Sequence, residues 1–284
     1  MQEKQFTIQN EFLSVTASTK GAELKSIRKN GRELLWCGDP AVWGFQAPVL
    51  FPLVGSLVEG KFAYGGKEYA PQKHGFARFQ TFVLEETGPD KMVFCLTENE
   101  ETLAVYPFSF AFRVIYTLEG DLLRVTYQVT NTGNGDLYFS VGGHEGYACP
   151  GNIENYSLLF EQEENPKTVL LDGPLLTYES KLLGTDTKEL PLSRELFALD
   201  SYIFTDLKSR AVTLKNNQTE ETVTLSFDGA DTLLIWGKPD GGFICLEPWC
   251  GIPDYVDSDG QLTHKKGIIK LSAGKEFSVS HTIK

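Results

Sequence analysis

Three observations predict an all-β protein built as a large antiparallel β-sandwich. Apolar and polar residues alternate with period two, glycine-centred turns separate the alternating runs, and helical periodicity is nearly absent. Without crossover helices, successive strands pair as hairpins, and 284 residues fill one large domain spanning 1–284.

The elements follow in chain order. Met1 to Asn10 is polar and reads as an opening strand. Asn30-Gly31, Gly65-Gly66, Gly120-Asp121 and Asn134-Gly135 can each supply the positive φ angles of a tight hairpin turn. Asp39-Pro40 caps a single helical turn, and Ser193 to Leu199 forms another. Phe110, Phe112, Val114, Tyr116 and Leu118 share one face of a strand, and Leu123, Val125, Tyr127 and Val129 share one face of the next. Leu137 to Val141 and the buried run Gly242 to Leu246 are further strands. Gln162 to Pro191 is the least patterned stretch, an excursion with short strands. Val223, Leu225 and Phe227, then Phe277, Val279, His281 and Ile283, complete the alternation. No fixed-period repeat points to a propeller or solenoid.

Composition narrows the function classes. A net charge of −12 with no basic run disfavours nucleic acid and anionic membranes as partners. No apolar run approaches the roughly 18 residues of a membrane helix. The five cysteines are odd in number and form no Cys-x-x-Cys pair, which reads as free thiols in a reducing compartment rather than a zinc site. A cytoplasmic location is the expectation.

Two of the four histidines stand in glycine-marked segments, His144 in Gly142-Gly-His-Glu-Gly146 and His74 in Lys73-His-Gly75. Glycines so placed let backbone or ligand approach closely. Glu247 ends the run Gly242 to Leu246 beside Trp249, where desolvation raises a carboxyl pKa and suits a general base. Imidazole and carboxylate are the side chains best suited to exchange protons near neutral pH. Each has a plain structural alternative: a core or loop histidine, and a surface glutamate at a strand terminus. Arg78 can bind hydroxyls or a phosphate through its planar fork, or can be an ordinary strand-face arginine. Trp43, Phe76, Trp236 and Trp249 can stack on a sugar ring or pack in the core. His281 reads as a packed terminal-strand residue, and His264, beside Lys265 and Lys266, has no assigned role. The chain lacks a phosphate-binding glycine loop, a His-x-x-x-His metal helix and a Gly-x-Ser-x-Gly elbow.

Taken together and in order, Gly21-Ala-Glu-Leu24, Ala47-Pro-Val-Leu-Phe-Pro-Leu-Val-Gly55, His74-Gly-Phe-Ala-Arg78, Ser140-Val-Gly-Gly-His144, Leu196-Phe-Ala-Leu-Asp200, Leu246-Glu-Pro-Trp249 and Lys266-Gly-Ile-Ile269 resemble the aldose 1-epimerase (galactose mutarotase) family, in its bacterial aldose-epimerase-like branch. The resemblance implies an open cleft on one sheet of the sandwich, no metal and no organic cofactor. It implies that His144 acts as general acid on the ring oxygen of an aldose and Glu247 as base on the anomeric hydroxyl, with His74 assisting. It also implies that Asp200 holds sugar hydroxyls; Arg78 and Trp249 complete the expected substrate contacts. The expected partner is a small sugar, and the chain a monomer or homodimer. Two positions depart from the family pattern. Ser56 stands where an arginine usually contacts substrate, and Glu145 stands where relatives often carry proline. A hexose-6-phosphate 1-epimerase and a sugar-binding protein without turnover are the competing readings. A glycoside hydrolase, which needs a carboxylate pair, fits less well.

Overall fold

A computed structural model describes residues 2–284. Met1 and the side chains of residues 195–197 lie outside the described residues, and with them the side chains of Leu196 and Phe197 in the family-like stretch ending at Asp200. The fold is the expected antiparallel β-sandwich. Among the described residues, one sheet has nine strands, in the order Thr187–Pro191, Tyr156–Glu164, Ala211–Asn216, Thr222–Ser226, Glu276–Ile283, Leu122–Asn131, Phe110–Glu119, Lys91–Thr97 and Val83–Thr87. Facing it is a smaller sheet in which Phe243–Cys250 is central. It pairs with Val141–Gly142 and Glu145–Ala148 on one side and with Thr232–Gly237 on the other, and Ser201–Phe204 follows. A four-stranded sheet made of Gln5–Gln9, Leu13–Ser18, Leu24–Lys29 and Arg32–Glu33 completes the N-terminal part.

The long hairpin Phe110–Glu119/Leu122–Asn131 shows why alternation is readable. In both strands every second residue is buried and the intervening ones are partly exposed, apart from Ala111. Its turn at Gly120 has φ +60°, and Asn30-Gly31 and Gly65-Gly66 also turn with positive φ. Asn134-Gly135 does not form the expected hairpin. Neither residue has positive φ, and the strands on either side, Leu122–Asn131 and Leu137–Phe139, belong to different sheets. The crossing between layers needs no tight reversal, so the glycine is not used as a mirror-image turn.

Asp39 caps the expected single turn, its Oδ1 accepting from the Ala41 N–H at 2.9 Å. The segment Arg194–Leu199 is a 3-10 turn. The α-helix Glu100–Val105 was not among the sequence expectations. It starts at a capping box in which Asn99 and Thr102 each bond the other's backbone N–H. Gln162 to Pro191 is an excursion as expected, with the hairpin Lys167–Asp172/Leu175–Leu182 at its centre. Among the described residues, no helix is long and apolar enough to cross a membrane.

The core between the sheets is rich in aromatic rings. Phe51 is fully buried, stacks on Phe112 at 4.3 Å and packs edge-on to Phe110 at 5.0 Å. Burying such a side chain contributes about 1.5–3 kcal/mol. Phe51 also carries the packing into the loop that bears His74: its carbonyl accepts the backbone N–H groups of Phe76 at 3.0 Å and Ala77 at 3.1 Å.

Candidate active site

The outer face of the smaller sheet forms the floor of a cavity of about 350 Å³, within the usual range for small-molecule sites. Glu247 lies within strand Phe243–Cys250, not at a strand end as its sequence context suggests. The strand runs on through Pro248, which is paired in register with Leu233. Cys245, Glu247 and Trp249 share the cavity-facing parity of the strand. Leu234 and Trp236, registered opposite Glu247 and Cys245, extend the same surface.

His144 lies in the two-residue break between Val141–Gly142 and Glu145–Ala148, which both pair with Phe243–Cys250. The three nearby glycines each leave room for one particular side chain. A Cβ on Gly142 would fall 2.4 Å from Trp249 Cδ1, one on Gly143 2.5 Å from Glu145 Oε2, and one on Gly146 2.8 Å from Trp43 Cζ3. Trp249 also donates its indole N–H to the Gly143 carbonyl at 3.1 Å. Trp43 stacks on the His144 ring with centroids 5.1 Å apart, and Trp236 meets that ring edge-on at 5.7 Å. The imidazole is thereby fixed over Glu247, with Nε2 3.4 Å from Oε1.

Both groups are buried, and neither His144 Nδ1 nor either Glu247 oxygen has a hydrogen-bond partner. Burial disfavours charge on each. It pushes His144 down to about 3. Burial, with a smaller contribution from the Glu145 carboxylate, raises Glu247 well above the usual carboxylate range, against a partial offset from Lys73.

His74 joins this pair. Its ring meets that of His144 edge-on at 5.6 Å and that of Trp249 at 5.6 Å. Its backbone has φ +66°, rare for a residue with a Cβ. The loop is held by Gly55, whose N–H donates to His74 Nδ1 at 3.1 Å and whose carbonyl accepts the His74 N–H at 3.0 Å. Nδ1 is therefore an acceptor, and the neutral ring carries its proton on Nε2. Burial, then the neighbouring His144, hold His74 well below the usual imidazole range.

The remaining candidates surround these three. Arg78 lies on a 3-10 turn, Ala77–Phe79, not on a strand face. Its guanidinium sits over the rings of Phe79 and Phe45 at 4.8 and 5.4 Å and donates to the Lys73 carbonyl. Asp200 is exposed, has φ +68° and lines the cavity with Ser201. Trp249 lines it too but is only 1% exposed, so the more accessible aromatic walls are Trp43 and Trp236. Phe76 is a core residue. Ser56 lines the cavity beside Gly55.

Lys238 on the cavity wall had no sequence signal beyond a turn-like Lys238-Pro-Asp-Gly-Gly242 segment, and its ammonium donates to the Val42 carbonyl. Lys265 was likewise unmarked. It is buried and bonded to Asp254 at 2.7 Å, fixing the loop whose Pro253 lines the site. His144, Cys245 and Glu247 offer donor atoms within 4.8 Å of one another. Burial, with the Glu247 and Glu145 charges, raises the Cys245 thiol well above its usual range.

The family model described as Aldose 1-epimerase matches residues 4–283. Protein LacX (plasmid) from Lactococcus lactis subsp. lactis is 35% identical, with 93% of each chain covered. Among solved structures, a galactose mutarotase related enzyme from Lactobacillus acidophilus superposes with a TM-score of 0.94 at 35% identity, covering 99% of this chain and 97% of that one. A galactose mutarotase-like protein from Lactobacillus casei ATCC 334 gives 0.92 at 27% identity, covering 99% of each.

Proposed function

The chain belongs to the aldose 1-epimerase family, and from that premise we propose that it interconverts the α and β anomers of a free hexose by acid–base opening and reclosing of the hemiacetal ring. The observation that carries this reading is the buried pair facing into one cavity, His144 Nε2 and Glu247 Oε1 3.4 Å apart.

Hemiacetal opening takes one proton from the anomeric hydroxyl and gives one to the ring oxygen. Because burial moves the two groups apart, the pair holds a single proton between about pH 3, where His144 takes up a second, and the raised titration of Glu247. Before substrate binds, burial leaves that proton on Glu247 beside a neutral His144. Ring opening starts once it has crossed the 3.4 Å contact to His144 on substrate binding, the resulting Glu247 carboxylate being favoured by Lys73. Glu247 removes the anomeric proton while His144 delivers its own to the ring oxygen, leaving imidazole and carboxylic acid beside an open-chain aldehyde. Rotation about the C1–C2 bond turns the other carbonyl face, and the same transfers in reverse close the ring. The proton count of the pair is unchanged over a cycle. Its two members each contribute about 10²- to 10⁴-fold.

The Nε2–H of His74 is available to hydrogen-bond near the ring oxygen. Asp200 and Arg78 are positioned to bind hydroxyls, and Trp43 and Trp236 offer flat faces to the sugar's C–H surface. NMR exchange spectroscopy between hexose anomers tests the assignment. Exchange above the buffer rate, abolished in folded His144→Ala and Glu247→Gln variants, is the expected result; full activity in both variants would sink it. Sugar binding by calorimetry without exchange would favour a binding protein.

One observation favours a second reading, a sugar that carries a phosphate. In a chain of net charge −12, three cations, Lys73, Arg78 and Lys238, line this one cavity. The Lys73 ammonium has no ion-pair or hydrogen-bond partner among the described residues. Comparing glucose with glucose 6-phosphate separates the two: a phosphate preference lost in Lys73→Met and Lys238→Met supports the second.

A further inference from the structure

The residue after His144 carries a second buried carboxylate, which the ring-opening chemistry does not use. Alternation puts His144 on the cavity face and Glu145 on the opposite face, inside the sandwich. There Glu145 Oε1 meets His281 Nε2 at 3.0 Å, each side chain 3% exposed. His281 belongs to Glu276–Ile283, a central strand of the nine-stranded sheet. The contact therefore ties the sheet that bears the cavity to the sheet behind it.

Two features connect this pair to the catalytic centre. The first is mechanical. The Glu145 carboxylate lies against Gly143, where an added Cβ would come 2.5 and 2.6 Å from its two oxygens. Trp249 holds Gly142 and the Gly143 carbonyl from the cavity side. The backbone that presents His144 is thus clamped between Trp249 and Glu145. The second is electrostatic. Glu145 is registered opposite Leu246, the neighbour of Glu247, so two carboxylates occupy opposite faces of adjoining strands. Its other oxygen, Oε2, and the buried Tyr147 hydroxyl both lack hydrogen-bond partners.

We infer that Glu145, held across the core by His281, is a positioning residue for proton transfer, fixing the Gly142–Gly146 segment that carries His144 and placing a second negative charge behind Glu247. This rests on the ring-opening reading above. The other titratable groups that feel Glu145 are Tyr147 on its own strand, Cys245 and Glu247 on the central strand, and Tyr116 and Tyr127 on the nine-stranded sheet. Glu23 bears on Tyr116 from the N-terminal sheet side. The tyrosines and the thiol are pushed upward by burial and stay neutral. Glu145 is therefore the charge behind Glu247, as Lys73 is the charge in front of it.

The test is the pH profile of kcat/KM for anomer exchange in Glu145→Gln, which keeps the side-chain shape and removes the charge. With less negative potential, the His144–Glu247 pair gives up its proton more readily. The alkaline limb of the profile is expected to move to lower pH, with KM within about twofold of the parent because substrate contacts are untouched. Lys73→Met is expected to move the same limb to higher pH. A cooperatively folded Glu145→Gln enzyme with the parent's profile overturns the inference. Should that variant fail to fold, Glu145→Met with His281→Leu removes both polar partners together and carries the same readout. An active parent with unshifted variants overturns this inference alone. A parent without anomer exchange overturns the ring-opening reading and this inference with it.

Discussion

His74 and Gly55 hold each other through two hydrogen bonds, one from the Gly55 N–H to the imidazole Nδ1 and one from the His74 N–H to the Gly55 carbonyl. The first bond settles which ring nitrogen carries the proton, so that the cavity receives a donor. His74→Ala is expected to lower kcat about 10-fold or more and to cost about 1–3 kcal/mol by leaving the Gly55 N–H unpaired. His74→Asn restores much of the stability, because asparagine tolerates positive φ and its carbonyl can accept that N–H. Thermal unfolding beside exchange kinetics checks both; equal stability of the two variants would contradict the account.

Glu247→Gln and His144→Ala are expected to lower kcat/KM for anomer exchange at least about 100-fold each. They should differ in stability. Glu247→Gln removes a carboxyl with no hydrogen-bond partner and should not lower the melting temperature at neutral pH, whereas His144→Ala opens a void beside Trp43. Differential scanning calorimetry of the two variants distinguishes these effects from general unfolding.

The pH dependence of stability follows from the same burial. His144 is depressed in the folded state, from 6.5 to about 3. Its contribution is present above 6.5 and is lost as pH falls towards 3, at about 1.4 kcal/mol per pH unit. Glu247 is raised, so its contribution is present below the unfolded carboxylate value and declines as pH rises towards the folded one. His144→Leu should flatten the acid side of a stability-versus-pH curve, and Glu247→Gln the side above the ordinary carboxylate range. Urea unfolding measured across pH reads both slopes.

Lys265 and Asp254 form a buried ion pair, each side chain 4% exposed, and Asp254 also accepts the Val58 N–H at 2.9 Å. Lys265→Met leaves that carboxylate uncompensated and is expected to cost about 3–5 kcal/mol. Because Asp254 follows Pro253, which packs against Gly55 and lines the cavity, KM for the sugar should rise as well. Unchanged stability in Lys265→Met would show that water or another donor reaches Asp254.

Much of this arrangement was legible in the sequence where one face of a strand is buried and the other wet. Phe110 to Leu118 announces its strand for that reason. The strand of Glu247 is buried on both faces, so periodicity carries no information about which way a side chain points, and Pro248 made the strand seem to end. The same limit hid Glu145: its neighbours do not say that it faces inward, and its partner His281 is far along the chain. His144 and His74 were visible because glycines mark them, yet the purpose of those glycines was not. Only the packed structure shows that those around His144 make room for Trp249, Glu145 and Trp43, and that Gly75 makes room for the Phe51 backbone carbonyl. Helix Glu100–Val105 had a readable signal in Asn99 and Thr102, but six residues are too few for helical periodicity to register.

The position of Glu276–Ile283 in its sheet has a consequence for how the molecule is made. This strand pairs with Leu122–Asn131 on one side and with Thr222–Ser226 on the other. During synthesis both neighbours exist long before it does, and each presents an unpaired edge until it arrives. The nine-stranded sheet is therefore two separate pieces until a late segment joins them, and that closure spans long stretches of chain, a pattern associated with slow folding. Until then the nascent protein exposes two open sheet edges that can pair with other chains. His281, and with it the anchor of Glu145, reaches its place only when that gap closes.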